Sequence, residues 1–141
     1  MRLIAAVLPV LLLAGCSSWQ PEAEYIKPVP AERLLGYQTP LTQGGQLTVN
    51  RDFGGMGGGC YVAILVDRRV AARIGVGEQA QFQVPVGTRV LGIGIDEMDD
   101  TLCGKGRLRR ELAVKVTPGT QQQFRILSDN RKGFDIVPLS P

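Results

Sequence analysis

The chain has 141 residues, with 16 Lys or Arg, 13 Asp or Glu and no histidine. A formal net charge of +3 is too small to indicate a nucleic-acid partner. The lack of histidine excludes Ser-His-Asp and Cys-His nucleophile pairs, HExxH zinc sites and an imidazole base near neutral pH.

The first sixteen residues, MRLIAAVLPVLLLAGC, have the pattern of a secretory signal. Arg2 gives a positive start, and the apolar stretch at 3–13 is shorter than the roughly 20 residues of a membrane-spanning helix. The stretch ends in Leu13-Ala14-Gly15-Cys16, which resembles the lipobox of bacterial lipoproteins. The resemblance implies removal of a signal peptide at 1–15, a diacylglyceryl group on the Cys16 thiol, and acylation of the new amine by a fatty acid such as palmitate. The alternative is an ordinary signal whose cleavage site happens to contain a cysteine.

Lipidation of Cys16 would keep the mature protein on a membrane. Each buried CH₂ contributes about 0.8 kcal/mol, and two lipid signals already give stable attachment. Ser17 follows the cysteine, whereas an aspartate there resembles the signal for retention in the inner membrane. The expected location is therefore the outer membrane of the cell envelope, with the domain facing the periplasm.

Residues 16–45 are predicted to form a lipidated, proline-rich tether. The spacing of the prolines excludes a long helix or a central strand: Pro21, Pro28, Pro30 and Pro40. In polyproline geometry, at about 3.1 Å per residue, the segment would hold a domain up to roughly 90 Å from the membrane. Two alternatives stay open. Trp19 lies at the lipid headgroups or is an ordinary exposed or packed aromatic, and Leu34, Leu35 and Tyr37 either stay free or dock on the domain.

Residues 46–141 are predicted to form one β domain, because apolar residues alternate with period two and turn residues interrupt them at short intervals. The segment from Cys60 to Val66 is apolar on both faces, which predicts a central strand. Tight turns are predicted at Asp67-Arg68 and at 117–120, and Val84-Pro85-Val86-Gly87 is predicted to close a hairpin. The pattern indicates an all-β fold, either a partly open barrel or, as we favour, a small antiparallel β-sandwich of about seven or eight strands.

The glycine-rich stretch RDFGGMGGGC, at 51–60, does not fit a phosphate-binding loop. It leads into a strand and lacks the Gly-Lys-Ser/Thr ending and the helix that would hold an anion. We interpret the glycines as backbone that takes positive φ or approaches another segment closely. Cys60 and Cys103 are the thiols left once Cys16 is lipidated, and an oxidising periplasm predicts that they form a disulfide. A metal site or a reactive thiolate is the rival interpretation, although two cysteines without histidine or CxxC spacing are a weak zinc signal.

A longer run, GGGCYVAILVDRRVAARIGVGEQAQFQVPVGTRVLGIGI, resembles an uncharacterised group of small bacterial lipoproteins that carry a domain of unknown function. It is also similar to PEGA-type surface β-modules. The features that carry the likeness are the glycine-cysteine entry, the VD turn and the VPVG segment, over roughly 51–127, although VDRR departs from the Asp-Gly turn of both groups. The resemblance implies an anchored β domain and brings no catalytic residues with it.

A candidate partner-contact loop follows the fifth predicted strand, which ends at Ile95. It comprises the acidic residues of DEMDD and two arginines: Asp96, Glu97, Asp99, Asp100, Arg107 and Arg109. The carboxylates lack the spacing of a calcium-binding loop and share one loop instead of flanking a groove. The arginines are candidates for contact with lipid phosphate or peptidoglycan carboxylates, and a solvated polar loop is the simpler interpretation.

These patterns predict an envelope lipoprotein that binds or scaffolds an envelope protein or peptidoglycan, with no catalysis, cofactor, metal or nucleic acid. The first alternative is a periplasmic inhibitor or immunity-type lipoprotein that inserts a loop into an enzyme. The second is a cell-wall hydrolase that works through the carboxylates at 96–100.

Overall fold

The computed structural model describes residues 17–54 and 59–139. The predicted signal peptide, the lipidation site Cys16 and the middle of the glycine-rich stretch, 55–58, lie outside the described residues. Within them the fold is all-β, with nine strands and three single turns of 3-10 helix. Among these residues we find no helix with the length and apolar character that crossing a membrane would require.

The strands belong to two sheets. The first contains β1 (Lys27–Pro28), β2 (Gly44–Arg51), β5 (Glu78–Pro85), β8 (Gln121–Asp129) and β9 (Gly133–Pro138). The second contains β3 (Val62–Val66), β4 (Arg69–Ile74), β6 (Gly87–Ile95) and β7 (Arg109–Val116). The 3-10 turns are η1 (Ala23–Tyr25), η2 (Ala31–Arg33) and η3 (Leu102–Gly104).

Most neighbouring strands run antiparallel. The first sheet has the order β1-β5-β2-β8-β9, and its β1–β5 and β2–β8 pairs are parallel. The second has the order β4-β3-β6-β7 and is antiparallel throughout. The strand β3 therefore lies between two neighbours, which confirms the central strand predicted for the apolar segment that ends at Val66.

The buried side chains of both sheets form one hydrophobic cluster. In the first sheet Leu47 and Phe82 are fully buried, while Gln81 beside Phe82 is exposed. In the second sheet Ile64 and Leu91 are fully buried. Because successive residues of a strand point to opposite faces, the period-two pattern of the sequence places these apolar side chains in a common core.

The turn between β3 and β4 is the tight turn predicted at Asp67-Arg68. Both residues have positive φ, 48° and 65°, which is the type I′ geometry that matches the twist of a hairpin. The Asp67 carboxylate supports the turn by accepting the Val90 N–H at 3.0 Å. An aspartate and an arginine therefore adopt the conformation usually given to Asp-Gly.

Two other turns join the sheets instead of pairing their flanking strands. The strand before Val86, β5, pairs with β2, whereas β6 after it pairs with β3 and β7. The hairpin predicted at 84–87 is therefore wrong: the chain crosses between the sheets there, with a φ of 120° at Gly87. The turn predicted at 117–120 is confirmed, since Gly119 has a φ of 71° and Thr120 donates its N–H to the Thr117 carbonyl at 3.3 Å.

The proline-rich segment lies on the domain, which differs from the free tether predicted for 16–45. It contains only very short elements, as its prolines require. Val29 nevertheless is 4% exposed and belongs to the core, and Leu34 and Tyr37 pack against it. The docking alternative is thus observed for these two residues, while Leu35 remains 42% exposed.

The same segment covers one edge of each sheet. In the first sheet, Lys27 and Val29 donate their N–H groups to the carbonyls of Gly77 and Gln79, at 3.1 and 2.9 Å. In the second sheet, Leu35 donates to a carbonyl of β4 at 2.8 Å. An uncovered edge strand offers its backbone groups to strands of other chains, so the segment protects edges that would otherwise be open.

Candidate functional site

Most of the predicted functional residues lie at one end of the two sheets, which we call the Ser18 end. It comprises residues 17–26, 52–54, 59–61, 75–77, 96–108 and 129–132. A buried arginine holds the two sheets together there: Arg51 at the end of β2 donates to the carbonyls of Cys60 and Ile74, at 2.7 and 2.8 Å.

Arg51 is the largest of the fully buried side chains described, and sequence reasoning did not single it out. Its guanidinium also lies 5.4 Å from the centre of the Phe134 ring. Burial lowers the pKa of Arg51 to about 10, so the group remains charged at neutral pH. The signal that would have found it is the alternation of Leu47 and Val49, which continues inward to position 51.

The start of the described chain is fixed to this end by a side-chain network. Ser18 donates its hydroxyl to Asp52 Oδ2 at 2.6 Å and accepts the Ser128 N–H at 2.8 Å. Its own N–H donates to the Ser128 carbonyl at 2.8 Å. Trp19 follows with two backbone bonds to Phe53, at 3.1 and 2.9 Å. Position 18 is therefore held by the ends of β2 and β8.

Asp52 connects this network to β8. The carboxylate is 3% exposed, and Arg125 binds both of its oxygens at 2.7 Å. Hydrogen bonding to Asp52 raises the pKa of the Arg125 guanidinium. A buried carboxylate requires partners of this kind, because removing it from water without them costs several kcal/mol.

A second network fastens the proline-rich segment. Arg33 binds both oxygens of Glu78, at 2.6 and 2.7 Å, and donates to the Arg73 carbonyl at 2.9 Å. Burial raises the pKa of the Glu78 carboxyl, but the bonds from Arg33 and from the Gly75 N–H outweigh it, so the pKa lies below its usual range. The guanidinium groups of Arg33 and Arg73 also lie against the Tyr61 ring, 4.2 and 5.1 Å from its centre.

The structure removes Asp96 from the predicted contact loop. Its side chain is 1% exposed and forms two bonds with Arg73, at 2.7 and 2.8 Å. The carboxylate is therefore enclosed by its own chain and does not face a partner. The reason is tertiary: Arg73 lies at the end of β4, which pairs with β3 beside the strand that Asp96 follows.

The other loop residues remain at the surface. The exposed members are Glu97, Asp100, Arg107 and Arg109. Asp99 is partly exposed and accepts both the hydroxyl and the N–H of Thr101, which lower the pKa of its carboxyl. Arg109 pairs with Glu111 at 3.0 Å, an exposed contact of the kind that contributes little to stability. That these residues meet a partner stays a prediction.

Cys60 and Cys103 form a disulfide, as predicted. Their Cα atoms are 5.4 Å apart across a separation of 43 residues, within the range that such bonds require. The bridge ties Cys60, two residues before β3, to η3, whose start is capped by Thr101 Oγ1 accepting the Cys103 N–H at 3.3 Å. Leu102 beside it is 83% exposed.

The glycine-rich stretch is described only at its two ends. Gly54 has a φ of 69°, and a Cβ there would lie 2.2 Å from the Trp19 ring. The interpretation of close approach therefore holds at Gly54, where the absent side chain gives Trp19 its position. Gly55, Gly57 and Gly58 lie outside the described residues.

A groove of about 380 Å³ lies on the face of the second sheet that turns away from the core. Its floor includes apolar residues and two glycines: Ala63, Leu65, Val90, Gly92, Gly94 and Leu108. Glu97 and Arg109 of the predicted contact loop both line it. The structure thus brings these two together at a groove, whereas Arg107 lines a separate depression beside the disulfide.

Over 17–54 and 59–139, no three His, Cys, Asp or Glu side chains are placed to hold a metal ion. Comparisons of the chain with protein-family models, with curated proteins and with solved structures give no match. The functional proposal therefore rests on the residues themselves.

Proposed function

We propose that this protein is a lipid-anchored lipoprotein of the outer membrane that faces the periplasm. We further propose that its two sheets form a β-sandwich that binds or scaffolds an envelope partner without catalysis. The Cys60–Cys103 disulfide is the main observation that supports a periplasmic location, because disulfides persist in the periplasm and are rare in the cytosol. The likeness of Leu13-Ala14-Gly15-Cys16 to a lipobox supports the anchor.

The arrangement of the carboxylates favours binding over hydrolysis. A glycoside hydrolase needs a carboxylic acid with a raised pKa, opposite a second carboxylate. Asp96 is engaged by Arg73, and the bonds from Thr101 lower the pKa of Asp99. If the protein were a hydrolase, it would degrade cell-wall material and lose that activity in the Asp99→Asn and Asp100→Asn variants.

The anchor is tested by growing bacteria that produce the full chain with a labelled fatty acid. The wild type should carry the label and fractionate with the outer membrane, and Cys16→Ser should carry none. Ser17→Asp is the matched variant: it should keep the label and move to the inner membrane. A mature wild-type protein with an unmodified Cys16 would refute the anchor.

The binding role is tested by crosslinking in intact envelopes, followed by mass spectrometry. One dominant protein neighbour, or peptidoglycan fragments, is the expected result. Recovery of no specific neighbour would remove the main support for a binding module.

One observation favours the inhibitor alternative. Leu102 is 83% exposed on a loop that the disulfide holds, and a rigid apolar tip is suited to entering an enzyme cleft. A photocrosslinker at position 102 should then capture an enzyme of the envelope.

A further inference from the structure

The Ser18 end carries the four most exposed large apolar side chains of the described residues. They are Trp19, Tyr25, Met98 and Leu102, with exposed fractions of 59%, 58%, 62% and 83%. Single exposed apolar residues are normal on a protein surface, whereas the grouping of four at one end makes this end a candidate contact surface. These side chains are therefore available to a partner or a surface that covers this end.

The position of Ser18 limits what can lie against this end. Ser18 is fixed by Asp52 and Ser128, and consecutive Cα atoms are about 3.8 Å apart. Two peptide units separate Cys16 from Ser18 in the chain, and two peptide units span at most about 7.6 Å between Cα atoms. Any group attached to Cys16 is consequently held next to this end of the domain.

We propose that the Ser18 end rests on the surface of the phospholipid bilayer that receives the lipid of Cys16. This inference depends on the proposed lipidation. Trp19 lies at the headgroup level, where tryptophan is favoured. Leu102 and Met98, on the loop held by the disulfide, enter the same interface from the second sheet. The apolar group and the attachment point thus face one membrane.

This end carries a small negative net charge. Outside the Asp96–Arg73 and Asp52–Arg125 pairs, its loops carry six carboxylates, Glu22, Glu24, Glu97, Asp99, Asp100 and Asp129. They carry four cations, Lys105, Arg107, Arg131 and Lys132. A surface without net positive charge gains no attraction from anionic lipids. The contact should therefore depend on the apolar side chains and persist at high salt.

This orientation also decides which surface faces the periplasm. The turns at 67–68, 84–87 and 117–120 lie at the opposite ends of the strands. They point away from the bilayer when the Ser18 end rests on it. A partner that approaches from the periplasm would meet these turns first.

The test uses the full chain, lipidated in bacteria and reconstituted into vesicles of phosphatidylethanolamine and phosphatidylglycerol. Trp19 is the sole tryptophan of the chain, so Trp19→Phe frees the fluorescence for a new reporter. Leu102→Trp places the reporter 86 residues from the anchor in sequence, and Met98→Trp is a second reporter in the same loop. Thr88→Trp, exposed at the opposite end of β6, is the control.

The reporters at 102 and 98 should emit at shorter wavelength and lose most of their emission when the lipid tails carry bromine. The reporter at 88 should keep a solvent-like spectrum without quenching. Vesicle flotation is measured in the same samples. Protein that floats while the reporters at 102 and 98 remain solvent-like overturns the orientation and leaves the anchor intact. Protein that does not float overturns the anchor and this inference together.

Discussion

The disulfide should stabilise the whole domain, and removing it gives the most direct measure of that effect. The perturbation is Cys60→Ala combined with Cys103→Ala in the chain that begins at Ser17. The bridge closes a loop of 43 residues. For a loop of that length the chain-entropy relation gives a loss of about 4 kcal/mol at 25 °C. Since domains of this size are stable by about 5–15 kcal/mol, the variant should lose between about a quarter and about four fifths of its stability.

The assay is urea unfolding followed by the fluorescence of Trp19. With a slope of about 1–3 kcal/mol per M urea, a loss of about 4 kcal/mol lowers the midpoint by roughly 1–4 M. Dithiothreitol supplies the matched control. It should lower the midpoint of the wild type to that of the double variant and leave the double variant unchanged.

Two results would refute this reasoning. One is a decrease of less than about 1 kcal/mol, which would mean that the unfolded chain gains little freedom when the bridge is absent. The other is a loss of amide-exchange protection confined to 96–108. Because the entropic effect acts on the unfolded state, it must lower protection in β2 and β8 as well as in that loop.

Three further substitutions test the polar networks. Asp52→Asn should lower the free energy of unfolding by about 2–3 kcal/mol, below the usual cost of breaking a fully buried pair, because the Arg125 side chain remains 25% exposed. Glu78→Gln should destabilise the domain at neutral pH. Since the folded pKa of Glu78 lies below its ordinary 4.5, this difference from the wild type should shrink as the pH falls below 4.5. Arg51→Met keeps most of the volume but removes the bonds that the guanidinium donates to two carbonyls, and should cost about 2 kcal/mol in urea unfolding.

Each of these has a comparison that can contradict it. Asp100→Asn changes an exposed carboxylate and should leave the urea midpoint unchanged. If Asp52→Asn also left the midpoint unchanged, the Asp52–Arg125 ion pair would contribute nothing to stability. A difference for Glu78→Gln that grows toward low pH would reverse the sign argued here. Wild-type stability in Arg51→Met would mean that the cost of burying the charge cancels its hydrogen bonds.

The period-two pattern predicted the strands well but could not assign them to sheets. Leu47, Val49 and Phe82 are buried where alternation places them, because alternation directly encodes which face of a strand is apolar. The segment at 84–87 shows the limit. Proline and glycine specify that the chain bends, but the same bend serves a hairpin or a crossing between sheets.

Some features of the site could likewise be predicted from the sequence, and others could not. The Cys60–Cys103 bond could be predicted because few thiols were left to pair in an oxidising compartment. The burial of Asp96 could not, since its partner Arg73 lies 23 residues away on a strand that reaches it only through tertiary pairing. Charge clusters in a sequence therefore overstate how many of their members are open to solvent.

The proline-rich segment shows why composition misjudged how far the domain would lie from the proposed anchor at Cys16. Prolines prevent the segment from forming a helix or a central strand, yet Val29, between two of them, keeps its N–H and donates it to β5. A sheet edge needs such donors and acceptors, and the segment supplies them on both sheets. Among the described residues, hydrogen bonding to the domain consequently begins at Ser18, not near 46. A reach of roughly 90 Å for a free tether is thereby reduced to the two peptide units that separate Cys16 from Ser18. A lipid on Cys16 would hold the domain against the bilayer, so any partner would have to be reached at the membrane surface.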